Sequence, residues 1–398
     1  MRTIHLAAWL AALTLNLTSA YAQPAGPVRV GLIFPLTGGS SDMGNSALVG
    51  AQVAVSEINQ VGGYLGRPIE LVVRDDQADN DTGLKHAQEL VLKEKVAVTI
   101  GFCNTGVAMK ALDVFQNNQS PLIVPCATGT ILTAKYPAAQ SYIFRTSAPD
   151  HHQTQFLVDE IVKRGLTKVA LLVDSTGYGD AGLKDLTAAL DRAGLKPRIV
   201  VRFNVGVKTL DDEMKKLKDS GADALIGWTV GPEQGVIAAS KAAVGWKAPH
   251  FGPWTLSNAS AFKVSEGKVD GALMVQTVLP NVFLERNSTF LRNYNKLRKE
   301  QPIGSMMSAA QTYDAVHLLV RAMFDSKGDL SGPGLKTALE NQSSVYRGVV
   351  TTYDHPFSDK DHDAISLNML WLGTWHNGER AYFYKEDEKR AAVIRRKQ

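Results

Sequence analysis

Apolar positions along this chain follow two alternating rhythms. Short continuous runs, at Val28–Phe34 (VRVGLIF), Ile69–Arg74, Val96–Phe102, Leu122–Val124 and Tyr142–Arg145, read as buried strands. Between them lie stretches whose apolar residues recur every three or four positions. Ser46–Val61 carries Val49, Val53, Ala54 and Ile58 on one stripe and stops at Gly62-Gly63, as a helix does. Thr82–Lys93 and Val107–Gln116 have the same period. Strand and helix alternate, which predicts a parallel sheet covered by helices.

A second series begins near Asp150. Its predicted order is helix His151–Arg164, strand Lys168–Asp174, helix Leu183–Ala193, strand Ile199–Phe203, helix Leu210–Ser220, strand Ala224–Trp228, helix Pro232–Ala243 and strand His250–Gly252. Leu273–Val278 is apolar again, and Ser288–Lys299, Ala309–Phe324 and Gly334–Asn341 are amphipathic. In the tail, Leu367, Met369, Trp371, Tyr382 and Tyr384 alternate as antiparallel strands do. The change of series at 146–150 contains small residues and a proline, a plausible domain crossing.

The richest chemistry lies in Val96–Thr133, a strand–helix–strand unit. Its strands break into Cys103-Asn104-Thr105-Gly106 and Cys126-Ala127-Thr128-Gly129-Thr130. Open parallel sheets bind ligands outside the carboxyl ends of their strands. Hydroxyls, an amide and backbone N–H groups there suit a small polar or anionic group, with no catalytic base in view.

Composition changes this picture little. The 398 residues suffice for two domains, and a net charge of +4, spread along the chain, leaves no nucleic-acid footprint. The N-terminus changes it more. A positive start at Arg2, an apolar Leu6–Leu17 and the small-x-small site Ala20-Tyr21-Ala22 make residues 1–22 a secretory signal peptide. No cysteine follows that site, so a soluble exported protein without a lipid anchor is expected. In an oxidising compartment the only two cysteines, Cys103 and Cys126, invite a disulfide if their strands are neighbours; two free thiols are the alternative.

Several motifs fail to reach a known chemistry. Gly177-Tyr178-Gly179-Asp180-Ala181-Gly182 matches the dinucleotide fingerprint G-x-G-x-x-G. The next strand ends at Arg202-Phe203, without the ribose-binding acid, and free nicotinamide cofactors are not expected outside the cytoplasm. Adjacent His151 and His152 point apart and make a poor metal site; Asp150 reads as an N-cap of a solvated helix start. Asp75-Asp76 reads as a polar strand end and Met214–Lys218 as a solvated helix face. No cofactor, metal or catalytic residue is expected. Tyr178 and Trp254, at strand ends of the second series, would bring aromatic faces to a cleft whose other wall is polar.

These pieces together resemble a known family. VRVGLIFPLTG, GAQVAVSEINQVGGYLGRPIELVVRDD, GFCNTGVAMKAL, PLIVPCATGTILT, YIFRTSAPDHHQ, DSTGYGDAGL and the GPW turn occur in the order seen in periplasmic substrate-binding proteins of ABC importers, in the leucine/isoleucine/valine-binding branch. The resemblance implies an α/β fold of two Rossmann-like lobes with three crossovers at a hinge, closing on a ligand. It implies lobes of residues 23–147 with 277–345 and of 148–276 with 346–398. It implies a monomer in the periplasm that serves an inner-membrane permease, and no enzyme.

Carried over by position, the resemblance gives Asn104 and Thr128, with the backbone around Ala127, to the ligand's carboxylate, and places Thr105 and Cys126 among the ligand-binding residues. Tyr178 is the aromatic contact of the second lobe, Met43 lines the first loop, and Val230 stands where a second tyrosine is common. Two departures matter. Trp254 replaces the glutamate that pairs with an amino acid's ammonium, which points to an aromatic or phenylpropanoid acid; a branched-chain amino acid, or a sensing role, is the alternative. The family's bridge usually joins the position of Cys103 to one near Ala78, so Cys126 is the remaining candidate partner.

Overall fold

The structure is a computed structural model describing residues 26–281, 284–298, 302–391, 393 and 395–397. The expected signal peptide lies outside the described residues. The first series is β1 (Val28–Phe34), α1 (Ser41–Gln60), β2 (Ile69–Asp75), α2 (Asn80–Gln88), β3 (Val98–Gly101), α3 (Thr105–Asn117), β4 (Leu122–Val124), α4 (Ile131–Ala134) and β5 (Ile143–Arg145). The second is α5 (Asp150–Lys163), β6 (Val169–Asp174), α6 (Gly177–Arg192), β7 (Ile199–Phe203), α7 (Asp211–Asp219), β8 (Ala224–Trp228), α8 (Gly231–Ala243), β9 (His250–Gly252), α9 (Ala259–Val264) and β10 (Leu273–Gln276). After these come α10 (Glu285–Arg298), α11 (Met306–Asp325), α12 (Gly332–Glu340), the short pair β11 (Tyr346–Arg347) and β12 (Thr352–Tyr353), then β13 (Trp371–His376), β14 (Glu379–Tyr382) and α13 (Lys385–Arg390).

Two sheets result. The first is five-stranded and parallel, in the order β2-β1-β3-β4-β5. The second has seven strands, β14-β13-β10-β9-β8-β6-β7, parallel from β7 to β10 and antiparallel at β13 and β14. The central strands are fully buried apolar runs, as a sheet covered on both faces requires. In each sheet the winding reverses beside the first strand, between β1 and β3 and between β6 and β8. Such switch points open a crevice at the carboxyl ends of the strands.

The chain passes between the sheets at 146–149, after β10, and again beyond α12. Helices α10 and α11 return to pack on α1 of the first series. Nearly every residue of α11 is buried, and Gly50 of α1 lets it approach closely: a Cβ at Gly50 would lie 2.2 Å from the Ala309 carbonyl oxygen. Residues beyond β12 return to the first sheet too. His362 and Ala364 bracket β5 with backbone bonds to Arg145, and Phe357 and His362 pack on the Phe144 ring.

Three expectations change. The first helix begins at Ser41 rather than at Ser46, which places Met43 in its first turn. The Gly177–Gly182 motif is part of the helix that the sequence pattern begins only at Leu183. Thr176 caps α6, accepting from the Tyr178 and Gly179 N–H groups, and the remaining glycines serve packing: a Cβ at Gly182 would lie 2.0 Å from Trp228 Nε1. Leu367–Met369 is a 3-10 turn, since strand pairing in the tail begins only at Trp371.

Candidate functional site

The two crevices face one another, and side chains from both sheets close around a single small cavity. Its lining is Met43 from α1, Cys103, Asn104 and Thr105 after β3, Thr128 after β4, Tyr178 after β6, Val230 after β8, and Trp254 and Thr255 after β9. Helices α1, α3, α6 and α8 all begin at this cavity. Helix N-termini carry partial positive charge and unpaired N–H groups, so their convergence favours an anion. No side chain caps α3. No Asp or Glu contributes to the lining.

The polar atoms of the lining are incompletely paired. Asn104 Oδ1, Thr128 Oγ1, Tyr178 OH and Trp254 Nε1 are buried without a hydrogen-bond partner. The Asn104 amide is held at its other end by Ser40 Oγ, 3.0 Å away. Because a hydroxyl can donate or accept, either orientation of the amide fits, and an anion would select the NH2 group inward. Buried polar groups are normally paired, so four orphans around one cavity mark a place for a polar ligand.

The loops are held from behind. Cys103 and Cys126 form a disulfide with their Cα atoms 4.5 Å apart, joining the ends of β3 and β4. The Gly129 N–H donates to Thr105 Oγ1 at 3.1 Å across the same two loops. Phe102, just before the bridge, has φ +65°, a strained conformation of the kind found at ligand sites. Buried Arg145 donates to the Thr128 and Gly129 carbonyl oxygens at 2.8 and 2.7 Å, to Thr133 Oγ1 at 2.8 Å, and to Asp363 at 2.7 Å. On the opposite wall, the Trp254 N–H donates to Gln153 Oε1, and Gln153 in turn donates to Asp150.

Seven of the nine expected ligand residues line the cavity: Met43, Asn104, Thr105, Thr128, Tyr178, Val230 and Trp254. Cys126 and Ala127 do not. Cys126 is bonded to Cys103 and faces Ser308 Oγ at 3.2 Å. The Ala127 N–H donates to the Phe102 carbonyl and its own carbonyl accepts from Ser147, so its backbone groups are already engaged. Sequence reasoning gave Cys103 only a bridging role and passed over Thr255, although its place beside Trp254 in the same turn was a signal.

Asp150 corrects a second expectation. It is wholly buried, Pro149 holds the cap position, and no side chain caps α5. Burial pushes its carboxyl up to about 8, against the nearby Thr128 hydroxyl. No hydrogen bond of normal geometry forms there, and Asp150 Oδ2 is unpartnered. Burial, and then the Asp150 charge, also raise the Tyr178 phenol well above its ordinary value. Arg202, at the end of the strand that follows the glycine motif, bonds Asp180 at 2.5 Å.

Several contacts cross between the walls, among them the Ala259 N–H donating to the Gly304 carbonyl at 2.8 Å. Ser260 Oγ donates to Asp42 at 2.5 Å, and Thr130 Oγ1 donates to Asp185 at 2.6 Å. Between them the starts of α3 and α6 touch through glycines: a Cβ on Gly177 would lie 3.2 Å from the Gly106 Cα. The cavity is therefore described in a closed arrangement.

A family model described as periplasmic binding protein matches residues 27–379. The chain is 25% identical over 324 residues to the leucine-, isoleucine-, valine-, threonine-, and alanine-binding protein of Pseudomonas aeruginosa, covering 81% of this chain and 84% of that protein. It is 28% identical to Leu/Ile/Val-binding protein homolog 3 of Brucella melitensis, over 64% of this chain and 68% of that one. Among solved structures, the substrate binding protein LivJ of Streptococcus pneumoniae in complex with isoleucine superposes with a TM-score of 0.76 at 24% identity, covering 89% and 97% of the two chains. A Rhodopseudomonas palustris solute binding protein in complex with benzoate gives 0.77 at 20% identity, covering 90% and 96%. At these identities the structures share the fold.

Proposed function

The chain belongs to the periplasmic binding protein family, and on that premise we propose that it captures a small aromatic carboxylate between two lobes and delivers it to an ABC permease from the periplasm. Members of this family bind substrates and are not enzymes. The observation that carries the reading is the cavity itself: four helix N-termini and the unpaired Asn104, Thr128 and Tyr178 groups converge on it, no carboxylate lines it, and Trp254 supplies an apolar face. The first two suit a carboxylate and the last an aromatic ring. The lobes are taken as residues 23–147 with 277–345 and 148–276 with 346–398, residues 357–364 returning to the edge of the first sheet.

An amino-acid ligand is the second reading. The printed names of the relatives favour it, and Asp150, buried beside Thr128 and Tyr178, is a carboxyl that could answer an ammonium. Burial keeps that carboxyl protonated at neutral pH, and it stands behind the lining rather than in it. Mass spectrometry of the small molecule released on denaturing freshly purified protein separates the two. An aromatic acid is expected; leucine, isoleucine or valine in its place overturns the proposal.

A further inference from the structure

A second cavity lies far along the chain from the cleft residues, where α10, α11 and the β11–β12 turn meet the tail. Its walls carry Arg286, Arg321, Arg347 and Arg396, with His317 and Asp354, around a cleft open to solvent. Arg286 and Arg321 stand on one aromatic ring, their guanidinium carbons 5.7 and 5.3 Å from the centroid of Tyr346. Tyr346 itself is buried and fixed, its hydroxyl donating to Asp314.

Of the four arginines only Arg396 has an ion-pair partner among the described residues, although the buried Asp314 acts on Arg286 from behind Tyr346. Among the described residues, the ion pairs formed in this region are those of Asp354 with His355 and Arg396, and of Glu57 with His317; none involves Arg286, Arg321 or Arg347. Glu57 is also taken by Asn293 and Tyr313. Asp314 spends both oxygens on the Tyr346 and Tyr353 hydroxyls and the Val349 and Val350 N–H groups. Arg321 donates one guanidinium nitrogen to the Val345 carbonyl, while its Nε is buried with no partner.

We propose that this arginine cavity is a second binding site, for a multivalent oxyanion of the phosphate class. Planar guanidinium forks match the paired oxygens of such a group, and an aromatic ring beneath them holds the forks in place. A dianion would also relieve the repulsion among the unpaired arginines. The source is a free phosphate compound or an anionic lipid headgroup.

Inorganic pyrophosphate and vesicles of phosphatidylglycerol are the probes, applied to the whole mature chain without any cleft ligand, so the result does not depend on the proposed function. Pyrophosphate is expected to raise the melting temperature above that in potassium chloride of equal ionic strength, and calorimetric titration to give one site. The R286Q/R321Q variant should bind at least tenfold more weakly. R347Q changes an exposed residue, leaves folding intact, and should lose several-fold. Binding to phosphatidylglycerol vesicles but not to neutral ones, lost in the same variants, supports the site with a headgroup as its source. No effect of either probe beyond chloride, or effects equal in wild type and variants, overturns the proposal.

Discussion

Gly177→Val tests whether ligand capture requires the two walls to meet as they do in the structure. A Cβ at this position would lie 3.2 Å from the Gly106 Cα and 3.6 Å from its nitrogen. Carbon atoms prefer about 3.5–4.0 Å, so alanine already presses and valine adds two methyl groups to the contact. Gly177 is the first residue of α6 and does not have a positive φ, so its backbone accepts a side chain. The clash falls on the opposite wall and is relieved when the walls part. Overpacking of this kind costs about 1–3 kcal/mol. If only the closed arrangement holds ligand, that cost passes directly into affinity, at roughly 1.4 kcal/mol per tenfold. The expected dissociation constant is therefore about 5- to 150-fold higher, with Gly177→Ala between wild type and valine. Calorimetric titration with benzoate measures it. The melting temperature of the ligand-free protein should hold, because the folding of neither lobe uses this contact. An unchanged dissociation constant in the valine variant would refute the reasoning.

Other perturbations probe the site and its supports. Trp254→Glu removes the apolar face and sets a carboxylate beside the bound one; benzoate affinity should fall at least tenfold, and equal affinity by calorimetry means that Trp254 does not touch ligand. Replacing both Cys103 and Cys126 by alanine opens a loop closed across 23 residues and should cost about 3 kcal/mol in urea unfolding; a loss below about 1 kcal/mol contradicts a stabilising bridge. Burial raises Asp76 to about 7, Asp150 to about 8 and Asp314 to about 6, so the folded chain keeps protons that the unfolded chain, at roughly 3.9, has released. Their contribution is full below about pH 4 and is lost as pH rises through 6 to 8. Burial lowers His152 to about 4 and His250 to about 3, which works against stability only below their unfolded value of about 6.5. The melting temperature should accordingly fall between pH 6.5 and 9, less steeply in Asp150→Asn; a flat or rising profile contradicts these assignments.

The strands were the most legible part of the sequence. VALLVD and ALIGW are central parallel strands buried on both faces, and such strands are continuous apolar runs. Part of the cavity was legible for a related reason: Asn104, Thr128, Tyr178 and Trp254 follow such runs, where an open sheet exposes its chain, whereas Met43 and Val230 rested on the family resemblance and Thr255 was missed. Helix starts were harder. Around Gly177 the glycines match a nucleotide-binding pattern and hide the helix start, yet they are small because α6 begins against Asp174 and packs against Trp228. What stayed hidden depends on distant partners. Asp150 is buried by Gln153, Thr128 and Tyr178, which nothing in its local pattern announces. Arg145 and Asp363 lie 218 positions apart, and only the returning tail brings them together behind the Thr128 loop.

The central claim is that the cleft takes an aromatic anion and refuses an α-amino acid. Calorimetric titration of ligand-stripped protein with benzoate, 4-hydroxybenzoate, leucine, isoleucine and valine tests it most directly. At least one aromatic acid should bind at one site per chain, with no heat from the three amino acids. Saturable binding of leucine, isoleucine or valine, with none of either aromatic acid, would contradict it.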